Sequence, residues 1–499
     1  MSDQDKPKTL TIGKRRRTED TTEPRVRSGA RARAAMNMQR RQSQSASATS
    51  ADDRSRPSPT PRDQNKSRTA PAKQAAPRTH GRPQRTAPFS ADTSAKTSAP
   101  RRSQPQREAR FQAAVEHEIF KVFAPCPQGL EEVLNVELTE LGYEHVETAR
   151  GGCRFQADWA GVLRINLYSR IATRILVQVA HAPVHTEDDV FELAYRTPWE
   201  RWFGAEQTLR VDTSAIRSPM QSLQFCNLRA KDGICDRLRD YEGARPSIDT
   251  VRPDARVHLF LDEKTATLYL DTSGESLFKR GWRHSKGEAP LRENLAAGIL
   301  ALSGWDPNHA LMDPFCGSGT ILIEAAWIAL GAPPGIWRPF HFERLRNHND
   351  RLWKDIKAEA RSHIAAELEI PLVGYDLDPA AIQAAKENLE RAHLNPSTIR
   401  FEVGNALEAM PVADSGWIVS NPPYGERLAE TNDAFWRDWA AHLKQHYAGW
   451  SVNLITSDLD LPHYMRLKPK RRTPLYNGAL DCRLFAFDMV KSGYRKGDM

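Results

Sequence analysis

Four consecutive residues near the C-terminal end of the chain, Asn421-Pro422-Pro423-Tyr424, have the types and order needed to hold a planar amine. The apolar run 417–419 before them predicts a strand that ends at this point. The Asn421 side-chain oxygen and the Pro422 carbonyl are two acceptors for N–H groups, and the prolines fix φ so that these acceptors converge. The Tyr424 ring offers a surface on which a base can stack. Because a delocalised amine is a poor nucleophile, it needs orientation more than full deprotonation. The motif therefore indicates methyl transfer to such an amine; the alternative is a strand exit stiffened by prolines.

A second run, residues 311–320, predicts a strand, a tight glycine turn and the start of a helix. Gly317 and Gly319 allow close approach of a ligand to the backbone, and the start of the helix offers free N–H groups. The run matches neither the dinucleotide fingerprint nor the phosphate loop. Asp313, before the turn, suits a ligand that carries an ammonium group better than one that carries a pyrophosphate.

Two further strand ends carry polar residues. Asp376 ends a predicted strand at 372–376, where an acidic residue typically binds ribose hydroxyls. It follows Asp313 by 63 residues, far more than the about 20 of a simple dinucleotide unit, so an insertion must separate the two strands. Residues 401–406 predict a third strand, whose end is a candidate contact for an adenine amine.

With these motifs, the chain resembles the Rossmann-like class I S-adenosylmethionine methyltransferases. More narrowly, it is similar to the bacterial THUMP-containing RNA guanine-N2 methyltransferases. Three further segments carry the narrower resemblance: Phe278–Arg283, Gly287–Leu295 and Asn477–Cys482. The resemblance covers roughly residues 115–490, and the first two segments separate it from adenine-N6 and protein-glutamine methyltransferases, which share Asn-Pro-Pro-Tyr.

The resemblance implies S-adenosyl-L-methionine as the methyl donor and no metal. It implies that the substrate is 23S ribosomal RNA or a large-subunit precursor, methylated at the exocyclic N2 of a guanine. The implied catalytic residues are Asn421, Pro422, Pro423 and Tyr424. The implied cofactor-binding residues are Asp313, Phe315, Gly317, Gly319, Asp376, Leu377, Asn405, Ala406 and Asn421. Asn405 is a departure, because the family often has Asp there, but an Asn carbonyl can still accept from an adenine amine.

The predicted fold class is α/β, with α+β modules before the catalytic domain. We predict a disordered basic tail at 1–114, a ferredoxin-like domain at 115–165, an RNA-binding THUMP domain at 166–275 and a Rossmann-like methyltransferase domain at 276–490. Within the ferredoxin-like part, residues 146–155 predict one strand. Some family members continue into a second methyltransferase domain; since this chain ends soon after Phe487, one methylation activity is expected.

Three groups of side chains are candidates for RNA contact, each with a plainer alternative. The first can bind phosphates or form a solvated helix face: Arg217, Gln221, Gln224, Asn227, Arg229 and Lys231. The second, in the insertion, can stack an unpaired nucleotide or pack against the core: Trp337, Arg338, Phe340, Phe342, Arg344 and Trp353. The third is a phosphate site or a solvated turn: Lys468, Lys470, Arg471 and Arg472.

Charge is distributed unevenly along the chain. Residues 1–110 contain 26 Lys and Arg against 10 Asp and Glu, a balance of +16, and the remainder carries −8. The tail is either an arm that strengthens RNA binding through counterion release or a solvated spacer. The six scattered cysteines fit reduced cytosolic thiols rather than a zinc or iron–sulfur site. A nucleophilic role for Cys316 is disfavoured because amine methylation needs no covalent adduct. No apolar run approaches the roughly 18 residues of a membrane span, so a cytoplasmic protein is expected.

Three rival functions remain open. The nearest is the same guanine chemistry on transfer RNA, on which related THUMP enzymes act. Protein-glutamine methylation is disfavoured by the THUMP-like region and the basic tail. An RNA-binding protein with an inactive methyltransferase fold is disfavoured by the intact Asp313, Gly317, Gly319, Asp376 and Asn421.

Overall fold

Two seven-stranded sheets organise the part of the chain that the structure describes. The computed structural model describes Val115 and residues 117–283, 291–423 and 433–490. The predicted tail at 1–114 and the Tyr424 side chain lie outside these ranges.

The N-terminal sheet has the strand order β2-β3-β1-β4-β7-β6-β5. Its strands are β1 (Phe120–Pro125), β2 (Glu147–Ala149), β3 (Gly152–Ala157), β4 (Leu176–Pro183), β5 (Leu209–Ala215), β6 (Ala255–Leu261) and β7 (Thr265–Asp271). Its helices are α1 (Glu131–Glu140), α2 (Trp159–Tyr168), α3 (Glu187–Arg196) and α4 (Leu223–Glu242). Neighbouring strands are antiparallel except β5 and β6, which are parallel.

Strand β4 joins two parts of this sheet. Val177 pairs with Val122 of β1 on one side and with Leu270 of β7 on the other. The βαβ unit at the N-terminal end and the following α+β unit therefore share one continuous sheet.

The single strand predicted at 146–155 is wrong. The structure has the two short strands β2 and β3, paired antiparallel on either side of a turn at Arg150-Gly151. Gly151 has φ of 76°, a left-handed conformation that glycine adopts without steric cost. This glycine is the local signal that the prediction overlooked.

The C-terminal sheet has the strand order β10-β9-β8-β11-β12-β14-β13. Its strands are β8 (Ala310–Asp313), β9 (Leu372–Asp376), β10 (Arg400–Val403), β11 (Gly416–Ser420), β12 (Trp450–Thr456), β13 (Arg471–Asn477) and β14 (Leu480–Asp488). Its helices are α5 (Glu293–Ser303), α6 (Thr320–Ala329), α7 (Asp350–Ser362), α8 (Pro379–Arg391), α9 (Asp433–His446) and α10 (Leu461–Tyr464).

The first five strands of the C-terminal sheet are parallel, and β14 runs antiparallel to both neighbours. The strand order reverses between β8 and β11, which is the switch point where α/β sheets bind ligands. All four residues of β8 are buried, as expected of a strand covered on both faces. Helix α6 follows β8, and its residues from Thr320 to Trp327 are all buried.

The insertion, residues 331–371 between α6 and β9, packs as part of the core. It contains the 3-10 turn His341–Arg344 and helix α7. The Phe342 and Trp353 rings meet edge to face at 4.9 Å, and Phe340 contacts the same Trp at 5.6 Å. All three rings are buried.

For Phe340, Phe342 and Trp353 the interpretation as a nucleotide-stacking surface is therefore wrong, and the packing alternative is correct. Arg338 is also buried, with its guanidinium donating to the backbone carbonyls of Ser273, Glu275 and Ser276. Trp337, half-exposed, stacks on His393 with ring centroids 4.9 Å apart. The side chain of Arg344 pairs with Asp254 at 2.7 Å.

Candidate active site

The four polar residues predicted at strand ends lie along one edge of the C-terminal sheet. Asp313 and Asp376 are the last residues of β8 and β9. Asn405 comes two residues after β10, and Asn421 directly follows β11. Because these four strands are neighbours and parallel, their carboxyl ends meet at the same edge.

Asp313 is a buried carboxylate, 2% exposed. Its Oδ1 accepts from the Ser420 hydroxyl at 2.6 Å and from the Phe315 N–H at 3.2 Å. Burial is the main cause that raises the pKa of Asp313 to about 7, and the nearby Asp376 also raises it. The two hydrogen bonds act in the opposite direction and lower the pKa. Such a carboxyl group is poised to ionise fully beside a cation. Ser420 was not among the predicted site residues, although a polar residue that ends an apolar strand is a recognisable signal.

Asp376 shapes the glycine turn. Its Oδ2 accepts from the Gly317 N–H at 2.9 Å, and its Oδ1 accepts from the Asp378 N–H at 3.0 Å. The turn is also tied to β9 by a hydrogen bond from the Cys316 N–H to the Tyr375 carbonyl at 2.9 Å. The sequence predicted a ribose contact for Asp376 but not this link between the ends of β8 and β9.

The two glycines of the turn have different surroundings. Both have left-handed φ values, 51° at Gly317 and 80° at Gly319. A Cβ added at Gly317 would meet nothing within 4 Å, whereas one at Gly319 would lie 2.7 Å from the Phe401 ring. Gly317 thus leaves room for a ligand beside the turn, and Gly319 leaves room for a neighbouring side chain.

Apolar side chains flank this edge of the sheet. Phe315, before the glycine turn, contacts Trp439 at 5.2 Å and Trp436 at 6.0 Å. Leu377, directly after Asp376, is 67% exposed. An exposed leucine beside a polar strand end suits a surface that an aromatic ring of a ligand covers.

Asn405 uses its side-chain oxygen to stabilise its own turn. The oxygen accepts from the Leu407 N–H at 3.0 Å, and the neighbouring Ala406 is buried. A contact from Asn405 to a ligand would have to share this acceptor or use the amide N–H groups.

Asn421 has an acceptor without a partner. Its Oδ1 is buried and makes no hydrogen bond to any residue that the structure describes. Pro422 is buried and Pro423 is exposed, while Tyr424 lies beyond the described residues. A buried acceptor left unpaired costs about 1–3 kcal/mol, so it marks a position where a donor on a ligand is expected.

Cys316 has the surroundings of an inert thiol. Its side chain is buried, and burial raises its pKa well above the ordinary value, helped by the nearby Asp313 and Asp376. Since the thiolate is the nucleophilic form, these surroundings disfavour covalent chemistry at Cys316.

Two arginines of the 278–283 segment hold the helix that begins at the glycine turn. Arg283 donates to the Thr320 hydroxyl at 2.6 Å and pairs with Glu293 at 3.1 Å. Arg280 pairs with the buried Glu324 of α6 at 3.1 Å. This structural role was not predicted, because the segment was recognised only as a family signature. The overlooked signal is Glu324, a lone carboxylate within an apolar helix.

The other candidate RNA contacts are partly engaged within the protein. The Asn227 amide donates to the Val211 carbonyl at 2.7 Å, and Arg229 pairs with Asp188 at 2.6 Å. Lys231 pairs with Asp232 at 2.8 Å. Gln221 and Gln224 are exposed, as is Arg217, which pairs weakly with Glu263 at 3.4 Å.

The basic run near the C-terminus lies at the β13 side of the sheet. Lys470 pairs with Asp488 at 2.8 Å, and Arg471 donates to the Leu302 carbonyl. Arg472 lies over the Phe485 ring at 5.6 Å, and Lys468 is exposed.

None of the helices in the described part of the chain combines the length and the apolar composition that a membrane span needs.

The parallel sheet, the glycine turn after β8 and the acidic end of β9 define a class I methyltransferase domain. Models of three families match the chain in succession: a ferredoxin-like domain at 121–176, a THUMP domain at 184–271 and an RMKL-like methyltransferase domain at 280–486. Among solved structures, SMU.472, complexed with S-adenosylhomocysteine, has a TM-score of 0.69 and 27% identity over 75% of this chain and 100% of that one. A possible methylase from Clostridium difficile 630 has a TM-score of 0.68 and 30% identity over 76% and 100% of the two chains.

Curated relatives point the same way. The protein named ribosomal RNA large subunit methyltransferase K/L from Syntrophotalea carbinolica is 39% identical over 76% of this chain and 55% of its own length. Its namesake from Methylococcus capsulatus is 39% identical over 74% and 51%. The chain thus spans about half the length of the curated relatives it matches.

The chain belongs to the THUMP-containing methyltransferases with an RMKL-like catalytic domain. The predicted order of ferredoxin-like, THUMP and class I methyltransferase domains is confirmed, and S-adenosylmethionine is the cofactor of this fold family. The open space beside Gly317 and the buried Asp313 fit a donor that carries an ammonium group.

Proposed function

We propose that this chain methylates the exocyclic N2 of a guanine in 23S ribosomal RNA or a large-subunit precursor, in the cytoplasm. Two curated relatives named as large-subunit ribosomal RNA methyltransferases support the choice of RNA. The resemblance noted in the sequence supports the choice of guanine N2. The observation that carries the chemistry is the position of Asn421 directly after β11, beside the switch point, with a buried Oδ1 that accepts from no residue that the structure describes.

Asn421 acts on the acceptor amine. Its Oδ1 accepts an N–H of the guanine amine and holds the nitrogen lone pair toward the methyl group that bound S-adenosylmethionine supplies. This interaction strengthens as positive charge develops on the nitrogen, so it lowers the barrier more than it tightens substrate binding. The Pro422 carbonyl is the second acceptor, and Tyr424 stacks on the base.

The donor is held on the other side of the switch point. Asp313 attracts the donor's ammonium group, and the backbone at Gly317 lies against the methionine end. Asp376 binds the ribose hydroxyls, and Leu377 covers the adenine ring. Ala406 and Asn405 lie at the adenine edge. A guanine within a helix cannot reach Asn421, so the target base is unpaired or is flipped out of the stack.

Product analysis tests the substrate. The purified chain and labelled donor are incubated with total RNA from a strain that lacks the gene, and the labelled RNA fraction is digested to nucleosides. Label in 23S RNA as N2-methylguanosine is expected. Label in transfer RNA would move the function to that substrate, and N6-methyladenosine would refute the guanine assignment.

Substitution of Asn421 tests the acceptor role. Asn421→Ala should lower the single-turnover rate roughly 10²–10³-fold, by analogy with loss of one preorganised polar contact, and leave donor affinity nearly unchanged. Asn421→Asp retains an acceptor oxygen and should lose less. Tyr424→Phe should retain the stacking worth about 1–3 kcal/mol that Tyr424→Ala removes. Equal rates for the wild type and Asn421→Ala would contradict the assignment.

A further inference from the structure

The insertion reaches from the catalytic sheet to the N-terminal sheet. Arg338 donates to the carbonyls of Ser273, Glu275 and Ser276, as described above. In addition, the Phe342 N–H donates to the Thr272 carbonyl at 3.1 Å. Arg344 pairs with Asp254, just before β6. These bonds come from a segment of the methyltransferase domain and end on the THUMP domain or directly after it.

Arg346 makes the most extensive of these contacts. Its Nη2 pairs with Glu206 at 2.8 Å and with Glu242 at 2.9 Å, its Nε donates to Glu206 at 2.9 Å, and its Nη1 donates to Glu242 and to the Glu200 carbonyl. Its own N–H donates to the Trp202 carbonyl at 2.9 Å. Two carboxylates and two carbonyls of the THUMP domain thus hold one residue of the insertion.

The THUMP domain leaves space for this guanidinium. A Cβ added at Gly204 would overlap the Nη2 atom of Arg346. The side chains of Arg346 and Glu242 are 16% and 14% exposed, so the pair is largely removed from water. Burial lowers the pKa of Arg346, but the hydrogen bonds to Glu242 and Glu206 outweigh it, so the pKa is raised and the side chain stays charged.

A buried, bidentate ion pair of this kind fixes the relative orientation of the two groups more than it adds to folding stability. Its desolvation offsets much of its Coulomb attraction, whereas its fork geometry admits few relative orientations. The contact joins an RNA-binding domain to a catalytic domain, where an error of about 1 Å in substrate position can cost a hundredfold in rate.

We propose that Arg346 is a positioning residue that fixes the THUMP domain relative to the catalytic sheet, and thereby sets which guanine of a bound RNA reaches Asn421. This inference rests on the proposed function. When the separation between the two domains is fixed, RNA held by the THUMP domain presents one target at a high effective concentration, and a looser contact spreads that concentration over other positions. The contacts described above join Arg346 to the THUMP domain, so its effect on the reaction passes through the contact, or joint, between the two domains.

Two variants loosen the joint in different ways. Arg346→Met removes the charge and retains much of the side-chain volume. Gly204→Ala retains every charged residue but displaces the guanidinium, and so remains informative if Arg346→Met fails to fold. Lys354→Met is the matched control, because Lys354 lies in the same insertion and pairs with Asp350 of its own helix, α7.

The first measurement compares two RNAs. One is protein-free 23S RNA, and the other is its shortest fragment that the wild-type chain still methylates. Both loosened variants should lower kcat/KM on 23S RNA about tenfold or more, remain within about twofold on the fragment, and methylate additional guanines. The control should match the wild type on both RNAs. Equal losses on both RNAs, or an unchanged preference for 23S RNA, would overturn the proposal.

The second measurement needs no RNA. Spin labels at Gln224→Cys in α4 and Gln383→Cys in α8, both exposed positions, report the distance between the domains. The distribution should broaden in Arg346→Met and Gly204→Ala and remain narrow in Lys354→Met; unchanged distributions would overturn the proposal. If the wild type fails to methylate 23S RNA, the proposed function falls, and this distance measurement still decides whether Arg346 fixes the joint.

Discussion

At the scale of single residues, Asp313 should make donor binding depend on pH. Its pKa is raised to about 7 mainly by burial, so the carboxyl group takes up a proton as the pH falls through 7. The protonated form no longer attracts an ammonium group. The affinity for S-adenosylmethionine should therefore be roughly tenfold weaker at pH 6 than at pH 8, since one pH unit below a pKa corresponds to about a factor of ten.

Calorimetry across this pH range checks the prediction, with two variants as references. Asp313→Asn should bind more weakly and lose this component of the pH dependence, which separates it from titration of the donor itself. Ser420→Ala removes a hydrogen bond that lowers the pKa of Asp313, so the midpoint should move upward. Identical pH profiles for the wild type and Asp313→Asn would show that Asp313 does not contact the donor's ammonium group.

The two glycines of the turn should respond differently to substitution. Gly317→Val places a side chain in the open space beside the turn and should abolish donor binding; because Gly317 also has a left-handed φ of 51°, this variant should lose some folding stability as well. Gly319→Ala instead meets the Phe401 ring and takes a strained left-handed conformation, which should cost at least about 1–2 kcal/mol of folding stability. Calorimetry with donor and thermal unfolding separate the two effects; loss of binding without loss of stability in Gly319→Ala would contradict the packing explanation.

At the scale of elements, the ion pair between Arg280 and Glu324 should anchor helix α6 behind the glycine turn. Both side chains are essentially unexposed. Either Arg280→Met or Glu324→Gln leaves a buried charge without its partner and should cost about 3–5 kcal/mol, whereas the double variant should cost less than the sum. Chemical denaturation of the four proteins completes the cycle. Strictly additive losses would mean that the two residues contribute independently.

The strand ends were predictable because their signals are local. A short apolar run followed by Asp, Gly or Asn is visible in a few residues, and these runs became β8, β9 and β11. The insertion was harder to interpret, because aromatic and basic residues interleave both in RNA-binding loops and in packed ones. What distinguishes the two cases is the set of partners, such as Phe342 with Trp353, and no local pattern encodes a partner.

At the scale of the whole molecule, the charge distribution predicts how RNA binding responds to salt. Residues 1–110 carry a balance of +16 and the remainder −8. Removing residues 1–110 should weaken RNA binding and flatten its dependence on salt, because fewer counterions are released. Donor affinity should not change. Binding titrations at several salt concentrations measure the slope, and an unaltered slope would favour the spacer interpretation.

The continuous N-terminal sheet was not predictable, because pairing between distant strands has no local signature. The sequence indicated separate ferredoxin-like and THUMP modules. The two family models agree, because the first ends at residue 176 and the second begins at residue 184. Strand β4 (Leu176–Pro183) fills the interval between the two matched ranges and pairs with β1 of one module and β7 of the other.

This shared strand limits how the two modules can be inherited. Suppose that a gene were divided between the ferredoxin-like and THUMP modules. The module without β4 would have an unpaired edge at β1 or β7, and the module with β4 would expose the other side of that strand. Open edges of this kind recruit other chains and lead to aggregation. Recombination between the two modules should therefore be selected against, so we expect related proteins to contain both modules together.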